Sequence, residues 1–340
     1  MNETLRPLSL GEILDRTVQL YRQNFMLFVG VAAVPMLALV SIFAGAGVLI
    51  AMYASTIAKD TAPFSSLTGV LVVTGLVATI IPLAIATTAF SQGALANTAF
   101  RRNLGEPLRI RTAIKSVWPR LGRFVWLMIL QAVFIGILPF AVLAAVVGLL
   151  VLASWALGSP SSLTGFFTFL VFLFAAAAVV TVVFRAIEYA MAFAVCVAED
   201  KTAWASLTRA KSLSKGTRGR IFVMFLLIWA LAMVLSLAAY VPFLIVVAIV
   251  TALVHNSAYA VVILVVTEIL NVILSFSMQT LLAPVYTTAL VLFYFDQRVR
   301  TEGYDIERMM EQAGLTERGM ELHLAQATHL AVTPDTLKEI

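Results

Sequence analysis

Arg185 and Glu188 stand three residues apart inside a long apolar run, so on a helix they share a face and lie within pairing distance. Ionisable groups in such a run are expensive and mark functional candidates by default. The main reading is an internal structural ion pair; a substrate or proton site is the alternative. Glu268, in another apolar run, has Asn271 one turn away and Gln279 further along, which gives that helix a polar stripe. In the bundle Glu268 is expected to face Arg185 or Gln131; alone it is the best candidate for a proton relay or cation site, and interhelical hydrogen bonding accounts for the same stripe.

Other constellations carry less chemistry. The three histidines, His255, His323 and His329, have no carboxylate or cysteine at the spacing of a metal triad. The lone cysteine, Cys196, permits neither an internal disulfide nor a Cys-based metal site and reads as a packed thiol. Ser-rich loops lack a nearby base. Gly45 and Gly47 sit in an apolar helical run with no strand before them, so they read as helix-packing residues, not a phosphate loop. No catalytic residue, cofactor or metal site is expected, and an enzyme is the least favoured class.

These residues must be positioned by a membrane fold. With 61% hydrophobic and 12% charged residues and a mean hydropathy of +0.98, the 340-residue chain lacks the polar side chains to cover a water-facing surface. A span needs roughly 20 apolar residues, and six runs qualify: 25–53, 67–98, 124–157, 162–198, 221–254 and 259–295. Several exceed that length, so tilt is expected. The first 24 residues mix polar and apolar types, and the run that follows is too long for a signal-peptide core, so the first span is expected to stay in the mature protein.

Charge sets the orientation. Basic residues number three before the first span, seven between the second and third, six before the fifth and five after the sixth, which places 21 of the 23 on one side. Lys59 alone lies in the opposite loops, and Arg185 lies within a span. The positive-inside bias then puts both termini in the cytoplasm. The net charge of +5 reads as orientation and lipid contact, not nucleic-acid binding.

Three basic amphipathic stretches precede the odd-numbered spans. Ser9 and Glu12 form a capping-box pattern, after which Leu10, Ile13, Leu14, Thr17, Val18, Tyr21 and Phe25 fall on one face opposite Arg16 and Arg22. In the second, Ile110, Ala113, Ile114, Val117, Trp118 and Leu121 oppose Arg109, Arg111, Lys115 and Arg120. In the third, Ala203, Trp204, Leu207, Ala210 and Leu213 form a weaker arc opposite Arg209, Lys211 and Lys215, with Arg220 at the entry to the span. All three read as interfacial helices against anionic headgroups, with Trp118 and Trp204 at headgroup depth. A proline follows in the first span of each unit (Pro35, Pro139, Pro242), so the chain reads as three parallel copies of interfacial helix plus hairpin, an all-α membrane domain over residues 1–300. Residues 301–340 form a cytoplasmic tail, with weak helical periodicity over 304–325.

Three motifs carry a resemblance. Leu8-Ser9-Leu10-Gly11-Glu12-Ile13-Leu14-Asp15-Arg16-Thr17, followed by Leu20-Tyr21-Arg22 and Phe25, resembles the opening of bacterial integral membrane proteins similar to the membrane domain of glycerophosphoryl diester phosphodiesterases. Glu199, Leu207, Arg209, Leu213, Lys215, Gly216, Arg220 and Ile221 resemble that group's basic segment between spans four and five, and Asp296-Gln297-Arg298-Val299-Arg300-Thr301-Glu302-Gly303-Tyr304-Asp305 its exit from the last span. Ala210 and Lys211 depart from an expected serine and tryptophan, so the third short helix is expected to dock less firmly. No segment of the sequence resembles the soluble phosphodiesterase barrel, with its paired histidines and metal-binding carboxylates. The resemblance thus implies a membrane module and carries over no enzyme activity. A non-enzymatic scaffold or lipid-organising module is the first functional reading, with protein partners or a second copy of the chain as associates. A transporter or channel for a lipid-like or small amphipathic substrate is the alternative.

Overall fold

The computed structural model describes residues 7–57, 67–156, 161–254 and 260–303. The Lys59 loop, most of the Gly158–Ser162 turn, the His255–Ser257 turn and the tail helix expected over 304–325 lie outside the described residues. Among those described there is no strand, and six helices are long and apolar enough to cross a membrane. The protein is an all-α membrane protein. By their contacts the residues form two units: 10–292, and the chain before Leu10 together with the chain from Phe293 on.

Three short helices each lead into a hairpin. Helix α1 (Leu10–Gln23) precedes α2 (Phe25–Ile57) and α3 (Leu67–Asn103). Helix α4 (Ile110–Val117) is followed by a 3-10 turn at Trp118–Arg120. The next span is split into α5 (Leu121–Gln131), a π-helical turn (Ala132–Ile137) and α6 (Leu138–Ala156), and α7 (Ser161–Tyr189) and α8 (Ala192–Ala198) return. Helix α9 (Ala203–Ser214) precedes α10 (Arg218–Val254) and α11 (Ala260–Glu302).

The short helices share one register. Their fourth and eighth residues are buried in all three: Ile13 and Thr17, Ala113 and Val117, Ser206 and Ala210. A spacing of four keeps both on one face. A second device recurs: Arg102 Nη2, near the end of α3, donates to the carbonyl of Leu108 at 3.4 Å, and Arg300 Nη2, near the end of α11, donates to the carbonyl of Leu8 at 2.7 Å. Leu8 and Leu108 each stand two residues before a short helix. The three hairpins also end alike, on left-handed residues: Gly105 (φ 82°), Asp200 (φ 49°) and Gly303 (φ 65°). These correspondences support the three-copy reading more firmly than sequence identity does.

The third helix corrects an expectation. Far from docking loosely, α9 buries Ala203, Ser206, Leu207, Ala210, Leu213 and Ser214. Its arc is built of small side chains that let neighbouring backbones come close, a property that a hydrophobicity scale underweights. Ser206 Oγ satisfies itself on the Thr202 carbonyl at 2.8 Å.

Burial is uneven along the spans. Near the end that carries the basic segments, Ala89, Ala94–Ala96, Phe124, Leu127, Ile221 and Met224 are buried, as are Ala192–Val197 of α8. Towards the opposite end, among the described side chains, α6 has none buried and α10 none beyond Ile228. There Leu149, Trp155, Phe172 and Leu253 are 66%, 83%, 72% and 79% exposed, which suits lipid and not water. Several hydroxyls on these faces bond back to their own helices, as Ser41 does to Leu37 O (2.8 Å) and Thr267 to Ile263 O (2.7 Å), and so are satisfied without water.

Glycine roles also shift. A Cβ at Gly45 or Gly47 would meet open space, so neither marks a close helix crossing among the described residues. Gly93 does: its Cβ would stand 2.8 Å from the buried Phe124 ring, which has nowhere to move. Gly93→Ala should destabilise by about 1–3 kcal/mol through overpacking. Gly30→Ala meets only the flexible tip of Ile110 and should cost less. Thermal unfolding of the two purified variants tests the order; equal melting temperatures would contradict it.

Candidate lipid-facing cavities and their charged rim

The helix ends near the basic segments enclose space as well as core. A cavity of about 1190 Å³ lies among α3, α5, the π turn, α6, α7, α8, α10 and α11, somewhat larger than most small-molecule sites. Its wall is mostly apolar, with Gln92, Gln131, Tyr286 and Thr287 as polar points. Gln131 Nε2 donates to Tyr189 O at 2.9 Å, and Thr287 Oγ1 donates to Gln92 Oε1 at 3.3 Å. A second cavity of about 900 Å³ lies among α2, α3, α10 and α11, lined in part by Tyr240, Ser275 and Gln279. Tyr240 Oη and Ser275 Oγ share a 2.7 Å hydrogen bond.

The two cavities share Gln92, Phe222, Phe225 and Tyr286. Phe225 and Tyr286 stack with ring centroids 5.6 Å apart and planes 23° apart, forming a partition. The larger cavity opens sideways: Ile137, Phe140, Val183 and Phe222 all line it, yet are 60%, 53%, 42% and 47% exposed. These four come from the π turn, α6, α7 and α10.

One wall has a local cause. Pro139 has no N–H to give and its ring crowds the carbonyl one turn back. The chain answers with a wider turn over Ala132–Ile137, in which Leu138 N–H reaches Val133 O, five residues back. Gly136 within it lines the cavity, and a Cβ there would meet open space.

Arg185 and Glu188 pair as the spacing predicts, Arg185 Nη1 lying 3.0 Å from Glu188 Oε2. The structure adds a third member. Arg218, at the start of α10, donates through Nη2 to Glu188 Oε1, and its Cζ stands 4.5 Å from the centre of the Phe184 ring. Glu188 is buried, 3% exposed, whereas the two arginine side chains are about a third exposed, 35% and 34%. Sequence reasoning grouped Arg218 with the basic collar on charge alone. Its signal was positional: it opens a span next to the span that Glu188 ends.

No known family, characterised protein or solved structure matches the chain.

Glu268 is not brought to Arg185 or Gln131. It is exposed on α11, and about 35 Å of helix at 1.5 Å per residue separates it from Val291, which lines the larger cavity. Arg185, by contrast, stands four residues from the end of α7 near the basic segments. Glu268 has no hydrogen-bond or ion-pair partner among the described residues, and Asn271 is half-buried. Of the predicted polar stripe only Gln279 lines the smaller cavity, where Ser275, which the stripe did not include, joins it.

The expected headgroup contacts divide. Arg120 pairs with Asp200 (3.2 Å), to which Arg123 also donates, and Arg209 pairs with Glu199 (3.3 Å), which holds Lys201 at 2.5 Å. Those arginines tie the segment after α8 to its neighbours. Arg22, Arg109, Arg111, Lys115 and Lys215 are exposed, while Arg16, Lys211 and Arg220 are partly covered. Trp118 (66% exposed) meets Phe90 edge-on at 5.9 Å, and Trp204 (55% exposed) meets Phe134 at 5.8 Å. Tyr21 packs on Phe25 and Phe28, and burial pushes its hydroxyl above the usual tyrosine range, so it stays neutral at pH 7. Cys196 is buried and free, its Sγ 3.6 Å from Lys201 O. Among the described residues no three His, Cys, Asp or Glu side chains gather as a metal site.

Proposed function

We propose that this protein moves a lipid-like amphipathic molecule, admitting it sideways from the bilayer into the larger cavity. The observation that carries this reading is the lateral opening, where residues lining the cavity are also exposed on the lipid-facing surface. An apolar wall with a few polar points suits an acyl chain with a polar head. The stacked Phe225 and Tyr286 stand between two volumes that share four lining residues, the place an internal partition of a passage would occupy. On the positive-inside count we place the protein in a bacterial inner membrane with both termini cytoplasmic. The opening then faces the inner leaflet, and the exposed basic residues lie against its anionic headgroups. No enzymatic step belongs to this reading.

Reconstitution into liposomes carrying a fluorescent phospholipid tests it. Wild-type protein should scramble the lipid, and Gly136→Phe, which fills open space in the cavity wall, should abolish most of that flux while melting as the wild type does. Flux no faster than in protein-free vesicles, or undiminished in Gly136→Phe, would sink the proposal.

A scaffold role is the second reading, favoured by Glu268. An exposed carboxylate in a span is costly unless another membrane helix supplies a donor. Cross-linking at Glu268→Cys, in membranes, reads whether such a neighbour is there.

A further inference from the structure

The Arg185–Glu188–Arg218 cluster is the strongest unassigned feature. A single carboxylate faces two guanidinium groups, which leaves one positive charge uncompensated within the cluster. It is also short of acceptors. Glu188 occupies one terminal nitrogen of each arginine, and Arg218 Nε is buried with no partner. A guanidinium carries five N–H donors and no acceptor, so both groups retain donors at their exposed edges. Structural ion pairs more often balance, because an unmatched charge near apolar surface costs free energy.

Position gives the cluster a use. Arg218 stands one turn before Phe222 on the same face of α10, and Glu188 adjoins Ile187 on α7. Phe222 and Ile187 both line the larger cavity, and Phe222 is at its lateral opening. A donor-rich, net-positive cluster thus borders an apolar volume that is open to lipid. Planar guanidinium groups match phosphate oxygens two at a time.

We propose that Arg185 and Arg218 bind the phosphate of an anionic glycerophospholipid whose acyl chain enters the larger cavity, with Glu188 holding both guanidinium groups at the rim. This rests on the lateral-entry reading above and names its substrate class. The chemistry recognised is a phosphate ester, and a free phosphate would present the same oxygens.

Native mass spectrometry of the full chain in detergent micelles separates the sources. The probes are dioleoylphosphatidylglycerol, dioleoylglycerol with the same chains and no phosphate, and inorganic phosphate. Wild type should retain the phospholipid and not the diacylglycerol, and inorganic phosphate should not displace it. Arg218→Gln and Arg185→Gln should each weaken retention roughly tenfold to a hundredfold, as loss of charge-assisted hydrogen bonds does. Arg101→Gln, which removes a basic charge away from the rim, should leave it unchanged. Arg218→Lys keeps a charge opposite Glu188 but loses the planar fork, so it should fold and still bind less. Glu188→Gln/Arg218→Gln removes both partners together and guards against a misfolded single variant.

Retention unchanged in Arg218→Gln and Arg185→Gln, or lost equally in Arg101→Gln, overturns the proposal. Displacement by inorganic phosphate assigns the rim to a soluble phosphate and overturns its lipid part. Because retention is read without flux, Arg218-dependent binding by a protein that moves no lipid keeps this site and sinks the transport reading. Undiminished flux in Arg218→Gln does the reverse.

Discussion

Glu188→Ala should lower folding stability by about 2–4 kcal/mol, among the larger single-site effects in this protein. Alanine removes the acceptor for both Arg185 and Arg218 and leaves two guanidinium groups facing each other beside apolar surface. The loss falls below that of a fully buried pair because each arginine side chain is about a third exposed and can turn to solvent or headgroups. Removing Arg218 as well should restore part of the stability, since the remaining charge is then a lone, part-exposed arginine. Thermal unfolding of the purified protein in detergent reads the difference. A Glu188→Ala protein that melts with the wild type would show that the carboxylate is dispensable to the fold.

Asp296→Ala should release the segment before α1. The Asp296 side chain is fully buried and its oxygens accept from Leu8 N–H (2.7 Å), from Arg300 Nε (3.0 and 2.9 Å) and from Gln297 Nε2 (3.3 Å). Arg300 closes the arrangement on the Leu8 carbonyl. Alanine strands a main-chain donor and a guanidinium together, at about 3 kcal/mol in that clasp. Amide exchange at Leu8 should accelerate by orders of magnitude and proteases should cut before Leu10, while the melting temperature of the spans changes less. Protection of Leu8 unchanged in Asp296→Ala would disprove the clasp. Asp296→Asn separates the parts, because an amide still accepts from Leu8 but no longer carries charge for Arg300.

Much of this architecture can be read in residue types alone. Six apolar runs, the capping pattern at Ser9 and Glu12 and the basic stretches before each hairpin place all three short helices and the spans they lead into. The Arg185–Glu188 pair follows from a spacing of three on any helix. What failed concerned depth and neighbours. Glu268 is expected beside Arg185 or Gln131 on polarity alone, although antiparallel neighbours put the start of one span beside the end of the next, and Glu268 and Arg185 stand at opposite ends of their spans. Arg218 was counted as one charge among many, because nothing local distinguishes a collar arginine from one reaching across to a carboxylate. The docking of α9 was underestimated, since alanine and serine score poorly for hydrophobicity and well for close approach. The clasp brings together two of the short motifs picked out in the sequence, at Leu8 and at Asp296–Arg300, so those motifs describe a contact with each other.

The π turn at Ala132–Ile137 carries a consequence for how the span tolerates change. Its Leu138 N–H to Val133 O bond fits one residue more into the turn than an α-helix holds, so every side chain from Leu138 onward is rotated by about 100° from the phase that α5 would have imposed. Phe140 and Ala141 line the cavity only because the wide turn takes up that extra residue. Deleting one residue there would let an ordinary α-helical turn replace the wide one and keep Phe140 and Ala141 on the cavity, whereas deleting one from α5, with the wide turn kept, would turn a different face of α6 to the cavity. At this point the wall of the cavity is encoded by a count of residues, to which substitution is largely blind and deletion is not.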